Sequence, residues 1–159
     1  MMKKFVCLMI IAALMAGCCA AAEQAVALPN SHFEVLVPDW MEYSDPVDGD
    51  QGVEAYISKD LEMDYISYTK AQAAEKGLQD TLKESVSFLR ENGMKAELRK
   101  IQGIEMLCYR TEDEADGAPC VGYVFLDGEW LIEIDFWYAT KEAADTTKTI
   151  IESIREVQE

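Results

Sequence analysis
Apolar residues are spaced in three different ways along this chain, and each spacing predicts a different element. An unbroken apolar run from Phe5 to about Gly17 follows Lys3 and Lys4 and gives way to small residues. That is the charged, apolar, small-residue order of an export leader. Strict alternation then appears in His32 to Val37 and stops at Pro38, which predicts a strand. Val53–Ser58 and Met63–Thr69 read as a second and third strand, turning near Lys59-Asp60. Residues 71–77 fit a helix entry or a loop, because Gly77 weakens helix there. Leu78, Leu82, Val86 and Leu89 recur at the 3.6-residue period, predicting a helix over 79–92 that stops at Asn92-Gly93.

Four further strands are expected at about 94–101, 104–111, 119–126 and 129–138. Asp127-Gly128 reads as a two-residue type I′ turn. In that register Phe125 faces Trp130, Tyr123 faces Ile132 and Val121 faces Ile134. All six then share one apolar side, while Cys120, Gly122, Val124, Leu131, Glu133 and Asp135 share a mixed one. The apolar side needs a cover. The closing helix supplies it, N-capped by Thr140 and carrying Ala143, Thr147, Ile150, Ile151, Ile154 and Val157 inward. The expected fold class is α+β: a mainly antiparallel, meandering sheet of six to seven strands packed by two helices.

The domain plan is a leader over 1–22, a short Ala-rich tether over 23–30 and one α/β domain over 31–159. Two routes can end the leader. Leu14-Met15-Ala16-Gly17-Cys18 resembles a bacterial lipobox, in which cleavage precedes a lipid-bearing cysteine; Met15 departs from the usual leucine. Ordinary signal-peptidase cleavage after Ala20-Ala21-Ala22 is the rival. Lipidation at Cys18 is preferred, which puts the domain at the outer face of a cell membrane, and otherwise it is secreted. The apolar run is shorter than the roughly 20 residues a spanning helix needs. The chain beyond the leader is about 137 residues long, enough for one hydrophobic core.

Charge narrows the partners. The chain carries 30 Asp+Glu against 14 Lys+Arg, a formal net charge of −16, and loss of Lys3 and Lys4 makes it more negative. Such a field repels nucleic-acid phosphates, so nucleic acid is not an expected partner.

The segment FEVLVPDWMEYSD, the mid-chain helix ahead of a strand meander, and the helix after GEWLIEIDFWYATKEAADTTKTIIESI together resemble the PsbP/Mog-type α/β sandwich. The resemblance is architectural and spans about residues 31–157. It implies a helix laid on an antiparallel sheet. Its members include extrinsic photosystem subunits, nuclear-import factors and envelope lipoproteins, with no shared enzyme chemistry, and the lipobox-like start favours the last of these.

Candidate chemistry is sparse. Histidine occurs once, as His32, so no multi-histidine zinc site can be built within one chain, and no G-x-S-x-G stretch is present. Cys108 and Cys120 lie on neighbouring strands across a tight loop and are expected to form a disulfide. Asp45, Asp48 and Asp50 in DPVDGDQG offer hard oxygen ligands, but Gly52 and Lys59 break the EF-hand pattern. Glu133 and Asp135 share a face and can be written as a general acid and base. Trp137 beside them, with Trp40 and Tyr43, completes a candidate binding surface. The reading is a non-catalytic, exported, membrane-anchored domain binding an envelope protein or small ligand, with no cofactor. The alternatives are a carboxylate hydrolase using Glu133 and Asp135, and a calcium-tuned structural surface protein.

Overall fold
A computed structural model describes residues 22–44, 52–75, 77–112 and 117–157. Residues 1–21, with Cys18, and residues 45–51, with Asp45, Asp48 and Asp50, lie outside the described residues. The described strands are β1 (Glu23–Ala27), β2 (Phe33–Pro38), β3 (Glu42–Ser44), β4 (Glu54–Ile57), β5 (Leu61–Thr69), β6 (Lys95–Ile101), β7 (Ile104–Glu112), β8 (Pro119–Asp127), β9 (Trp130–Tyr138) and β10 (Arg155–Glu156). The helices are α1 (Lys70–Glu75), α2 (Leu82–Glu91) and α3 (Lys141–Glu152).

Seven strands form one antiparallel sheet in the order β3-β4-β5-β9-β8-β7-β6. A second, three-stranded sheet, β1-β2-β10, lies outside it. The large sheet buries both faces. One face sets Met63, Tyr65, Tyr123, Phe125, Ile132, Ile134 and Phe136 against α3 and the small sheet, through Ile150, Ile151, Val35 and Val37. The other packs Ile66, Leu107, Val124 and Leu131 against Ala73 of α1 and Leu82 and Val86 of α2. The expected α+β fold, with α3 on the apolar side of the β8–β9 ribbon, is what the chain adopts.

Local chemistry sets the helix ends. The Thr81 hydroxyl accepts from the Glu84 N–H at 3.2 Å and donates to the Glu84 carboxylate at 2.9 Å, a side-chain cap at α2. At its other end Gly93 takes φ +84°, its N–H donates to the Arg90 carbonyl, and the Met94 N–H donates to the Leu89 carbonyl. That is a Schellman stop, open to glycine because it lacks a Cβ. Thr140 accepts from the Ala143 N–H at 3.1 Å to start α3.

Four expectations need correction. The first five residues of the tether over 23–30 are a strand: β1 pairs with β2 from Glu23↔Pro38 to Ala27↔Glu34, and Val26 and Leu28 are buried in the main core. Residues 70–75 settle as a third helix, with Ala73 as its buried contact. The closing helix ends at Glu152; Ile154 is buried beyond it, while Val157 is exposed and its N–H donates to the His32 carbonyl. The β8–β9 turn is Gly128-Glu129, with Asp127 paired to Trp130. Gly128 alone of the two has positive φ, +60°, which is the type II′ pattern. Asp127 stays in the strand because its carboxylate is held from outside the hairpin: it accepts from the His32 N–H at 2.6 Å and the Ser31 hydroxyl at 3.0 Å.

Candidate functional site
The mixed side of the sheet carries the chemistry. Tyr109 of β7, Gly122 of β8 and Asp135 of β9 stand in one transverse row, each paired to the next, and Asp64 of β5 continues it. Glu133 is one pleat along β9 on the same face. The Tyr109 ring lies across Gly122. A methyl on Gly122 would overlap the ring carbons of Tyr109 and Oδ1 of Asp135. The space thus made lets the Tyr109 hydroxyl reach both acids, at 2.8 Å from Glu133 Oε1 and 2.7 Å from Asp135 Oδ1. A phenol has one proton to donate, so the two carboxylates share it.

Electrostatics follow from that packing. Burial first, then the charges of Asp135 and Glu133 and the bonds to them, raise the Tyr109 phenol far above its ordinary range. Burial and Glu133 raise the Tyr68 phenol as well, with a smaller push from Asp135. The neighbouring Cys120 thiol is also pushed up, by burial and then by Asp135, against a lowering hydrogen bond with the Phe136 backbone. This corner therefore holds neutral donors against acids. A general acid–base pair needs the space between its carboxyl groups for substrate oxygen or water. Here that space contains the Tyr109 hydroxyl. Among the described residues no group of three or more His, Cys, Asp and Glu side chains is placed to hold a metal ion.

The expected binding surface divides between two regions. Trp137 does share the face of Glu133 and Asp135, opposite Glu62 on one side and Cys120 on the other. Tyr43 belongs to the opposite face, where it packs edge-on against Tyr56 at 5.6 Å between ring centres, and Tyr56 stacks on Tyr65 at 6.3 Å. Trp40, 48% exposed, and Tyr43, 49% exposed, line a separate hollow of about 520 Å³ with Glu42 and Lys59. That hollow lies near the first described residue, for the Ala22 carbonyl accepts from the Asp39 N–H at 2.9 Å.

The expected disulfide is not formed, and Cys108 and Cys120 are free and buried. The β7–β8 register pairs Cys108 with Tyr123 and Cys120 with Thr111. The two thiols therefore point to opposite faces of the sheet, where no side-chain rotation joins them. Burial pushes the Cys108 thiol up to about 11, against the lowering charge of Arg99. His32 is exposed, and its Nδ1 lies 3.1 Å from the Asp127 carboxylate, a tie between the small sheet's turn and the β8–β9 hairpin. Tyr109, Gly122 and Asp64 were not singled out by the sequence. Gly122 was the available signal: a glycine amid β-formers, on the acidic side of a ribbon, marks a close approach by another group.

No family model and no curated protein matches the chain. Solved structures do. The chain resembles the solution structure of cyanobacterial PsbP (CyanoP) from Synechocystis sp. PCC 6803, with a TM-score of 0.58 and 18% identity over 89% of this chain and 96% of that one. It also resembles a crystal structure from Bacteroides thetaiotaomicron VPI-5482, with a TM-score of 0.54 and 15% identity over 80% of this chain and 46% of that one. Identities this low speak to architecture alone, and the chain has a PsbP-like fold.

Proposed function
We propose that the chain is an exported accessory domain, held at the outer face of a membrane by lipid on Cys18, that binds a protein or small ligand and carries out no catalysis. The observation that carries this reading is the Tyr109 hydroxyl lodged between Glu133 and Asp135, at 2.8 and 2.7 Å. These two were the best-placed candidates for acid–base work, and their facing oxygens are spent on an internal donor. A PsbP-like fold supports an accessory role by analogy only, since a fold does not carry a function.

The short lead-in supports the anchor. Ala22 is already hydrogen-bonded into the domain, so from Cys18 to the fold the chain reaches at most about 14 Å. A lipid on Cys18 would thus hold the corner bearing Trp40 and Tyr43 close to the bilayer, at the depth where Trp and Tyr rings are favoured. Among the described residues no helix is long and apolar enough to cross a membrane.

Mass spectrometry of the membrane fraction tests the proposal. The expected N-terminal peptide begins at Cys18 and carries diacylglycerol. An unmodified N-terminus at Glu23 in the soluble fraction refutes the anchor. Turnover of glycoside or ester substrates that Glu133→Gln abolishes refutes the non-catalytic half.

A further inference from the structure
The cations of this acidic chain are gathered in one place. Of its fourteen Lys and Arg, Lys3 and Lys4 lie in the leader, and seven of the other twelve line a single trough between α3 and the β6 end of the large sheet. One half, about 440 Å³, has Arg90, Lys95, Arg99 and Arg110 around a floor of Cys108 and Tyr123. The other half, about 590 Å³, adds Lys141 and Lys148 from α3 and touches Lys100 of β6, whose register position sets its side chain on the opposite face. The halves share Arg99, Arg110, Val121 and Tyr123, so they are continuous.

Only part of that charge is neutralised locally. Glu97 pairs with Arg99, and Asp145 sits 3.4 Å from Lys148. Glu152 is the third acid on the wall. Among the described residues Lys95, Lys100, Arg110 and Lys141 make no ion pair. The trough is therefore a positive patch on a chain whose net charge is −16. Its size is that of a ligand site.

The outer wall adds a second kind of recognition. β6 is the last strand of the sheet, and among the described residues no strand pairs with its outer side, although the Arg90 side chain of α2 donates to the Ala96 carbonyl of β6 at 2.6 Å. A free edge offers backbone donors and acceptors to another extended chain. Lysines on an edge strand also serve to discourage such pairing. That explanation reaches Lys95 and Lys100 but not Arg110, one strand inward, or Lys141 and Lys148 on a helix.

We propose that this trough docks an extended acidic peptide segment of a partner protein, which pairs its backbone with β6 and sets its carboxylates against Lys95, Arg99 and Arg110. The inference rests on the binding half of the reading above and is independent of the lipid anchor. The field of the whole chain repels polyanions, so saturable binding of one has to be local.

The test is anisotropy of fluorescein-labelled hexaglutamate titrated with the purified protein at low salt. Expected is saturable binding that weakens steeply as sodium chloride is added. Arg110→Glu should weaken it at least ten-fold. Lys141→Glu should weaken it several-fold and tests the other half of the trough, at a helix start that tolerates an acid. Lys83→Glu makes the same change in net charge on α2, across the sheet, and should leave affinity within two-fold; melting temperatures confirm that each variant folds. Hexaglutamine should not bind. No saturable binding at low salt, an equal effect of Lys83→Glu and Arg110→Glu, or binding of pyrophosphate without hexaglutamate would each overturn the proposal. A lipidated protein that ignores hexaglutamate would end this inference and leave the anchor standing.

Discussion

Gly122→Ala separates two physical expectations of opposite sign. Glycine inside a strand costs roughly 0.5–1 kcal/mol relative to alanine through the entropy of the unfolded chain, so on backbone grounds alone the substitution stabilises. The packing says otherwise. The new methyl would lie inside the ring of Tyr109 and against Asp135 Oδ1. Asp135 can turn its carboxylate away, but the Tyr109 ring is braced by its own strand and has to lift off the sheet. Lifting it breaks the bonds to Glu133 and Asp135, and hydrogen bonds to charged groups contribute about 1.5–3 kcal/mol. Overpacking adds about 1–3 kcal/mol. Net of the backbone gain, the expected loss is about 3 kcal/mol, a large share of the roughly 5–15 kcal/mol that holds a domain together. In urea this appears as a lower midpoint at unchanged slope, and on heating as a fall of about 10 °C. In a Tyr109→Ala background the same substitution should cost at least about 1 kcal/mol less, because the ring it displaces is gone. A Gly122→Ala protein as stable as the parent, or an equal loss in both backgrounds, would refute the account of this site.

Tyr109→Phe should destabilise by about 1.5–3 kcal/mol at neutral pH, read from urea midpoints. It should also lessen the alkaline loss of stability: the folded phenol keeps its proton above its ordinary range, so its contribution is present below about pH 10 and fades as pH rises beyond that. The Asp127 carboxyl is held below its ordinary value: burial alone would raise it, but the bonds from the His32 N–H and ring and the Ser31 hydroxyl together outweigh burial. Asp127→Asn should therefore cost about 1–3 kcal/mol at pH 7, and the gap should close as pH falls through the range below about 4, measured by urea melts at both ends. Cys108 and Cys120 should give the same mass after alkylation with and without reductant, and native protein at pH 8 should react slowly until denatured. A mass shift that needs reductant would mean a bond the fold does not allow.

Much of the site was legible because a strand's faces are set by parity. The sequence placed the β8–β9 partners two steps from where they lie, with Phe125 against Trp130 instead of Ile132. A shift of two keeps every side chain on its face. Tyr123, Phe125, Ile132 and Ile134 therefore still met α3, and Glu133, Asp135 and Trp137 still shared the other side. What displaced the turn was not local. Asp127 reads as a turn residue in its own dipeptide, but Ser31 and His32, almost a hundred positions earlier, hold its carboxylate in the strand. The small sheet was hidden for the same reason: β1 is short and Ala-rich, and it becomes a strand only by pairing with β2.

The cysteines show the same rule from its other side. Across β7 and β8 the partners run Met106↔Phe125 to Glu112↔Pro119, so even numbers face odd ones. Cys108 and Cys120 are both even, and no slide of this register that preserves the two buried faces brings them together. Cys108 points toward the basic trough, near Arg99, and Cys120 toward Asp135. Joining them would turn Met106 and Leu107, both fully buried, each out of its own core and into the opposite one, where its present packing is lost. Burying a side chain of that size contributes about 1.5–3 kcal/mol. A loop-closing bridge contributes about 3 kcal/mol at this length, but turning the whole strand over forfeits several such burials at once. The hydrophobic pattern therefore decides the register, and the thiols are left apart on two faces that do different things: one carries acids around a phenol, the other cations along an open edge.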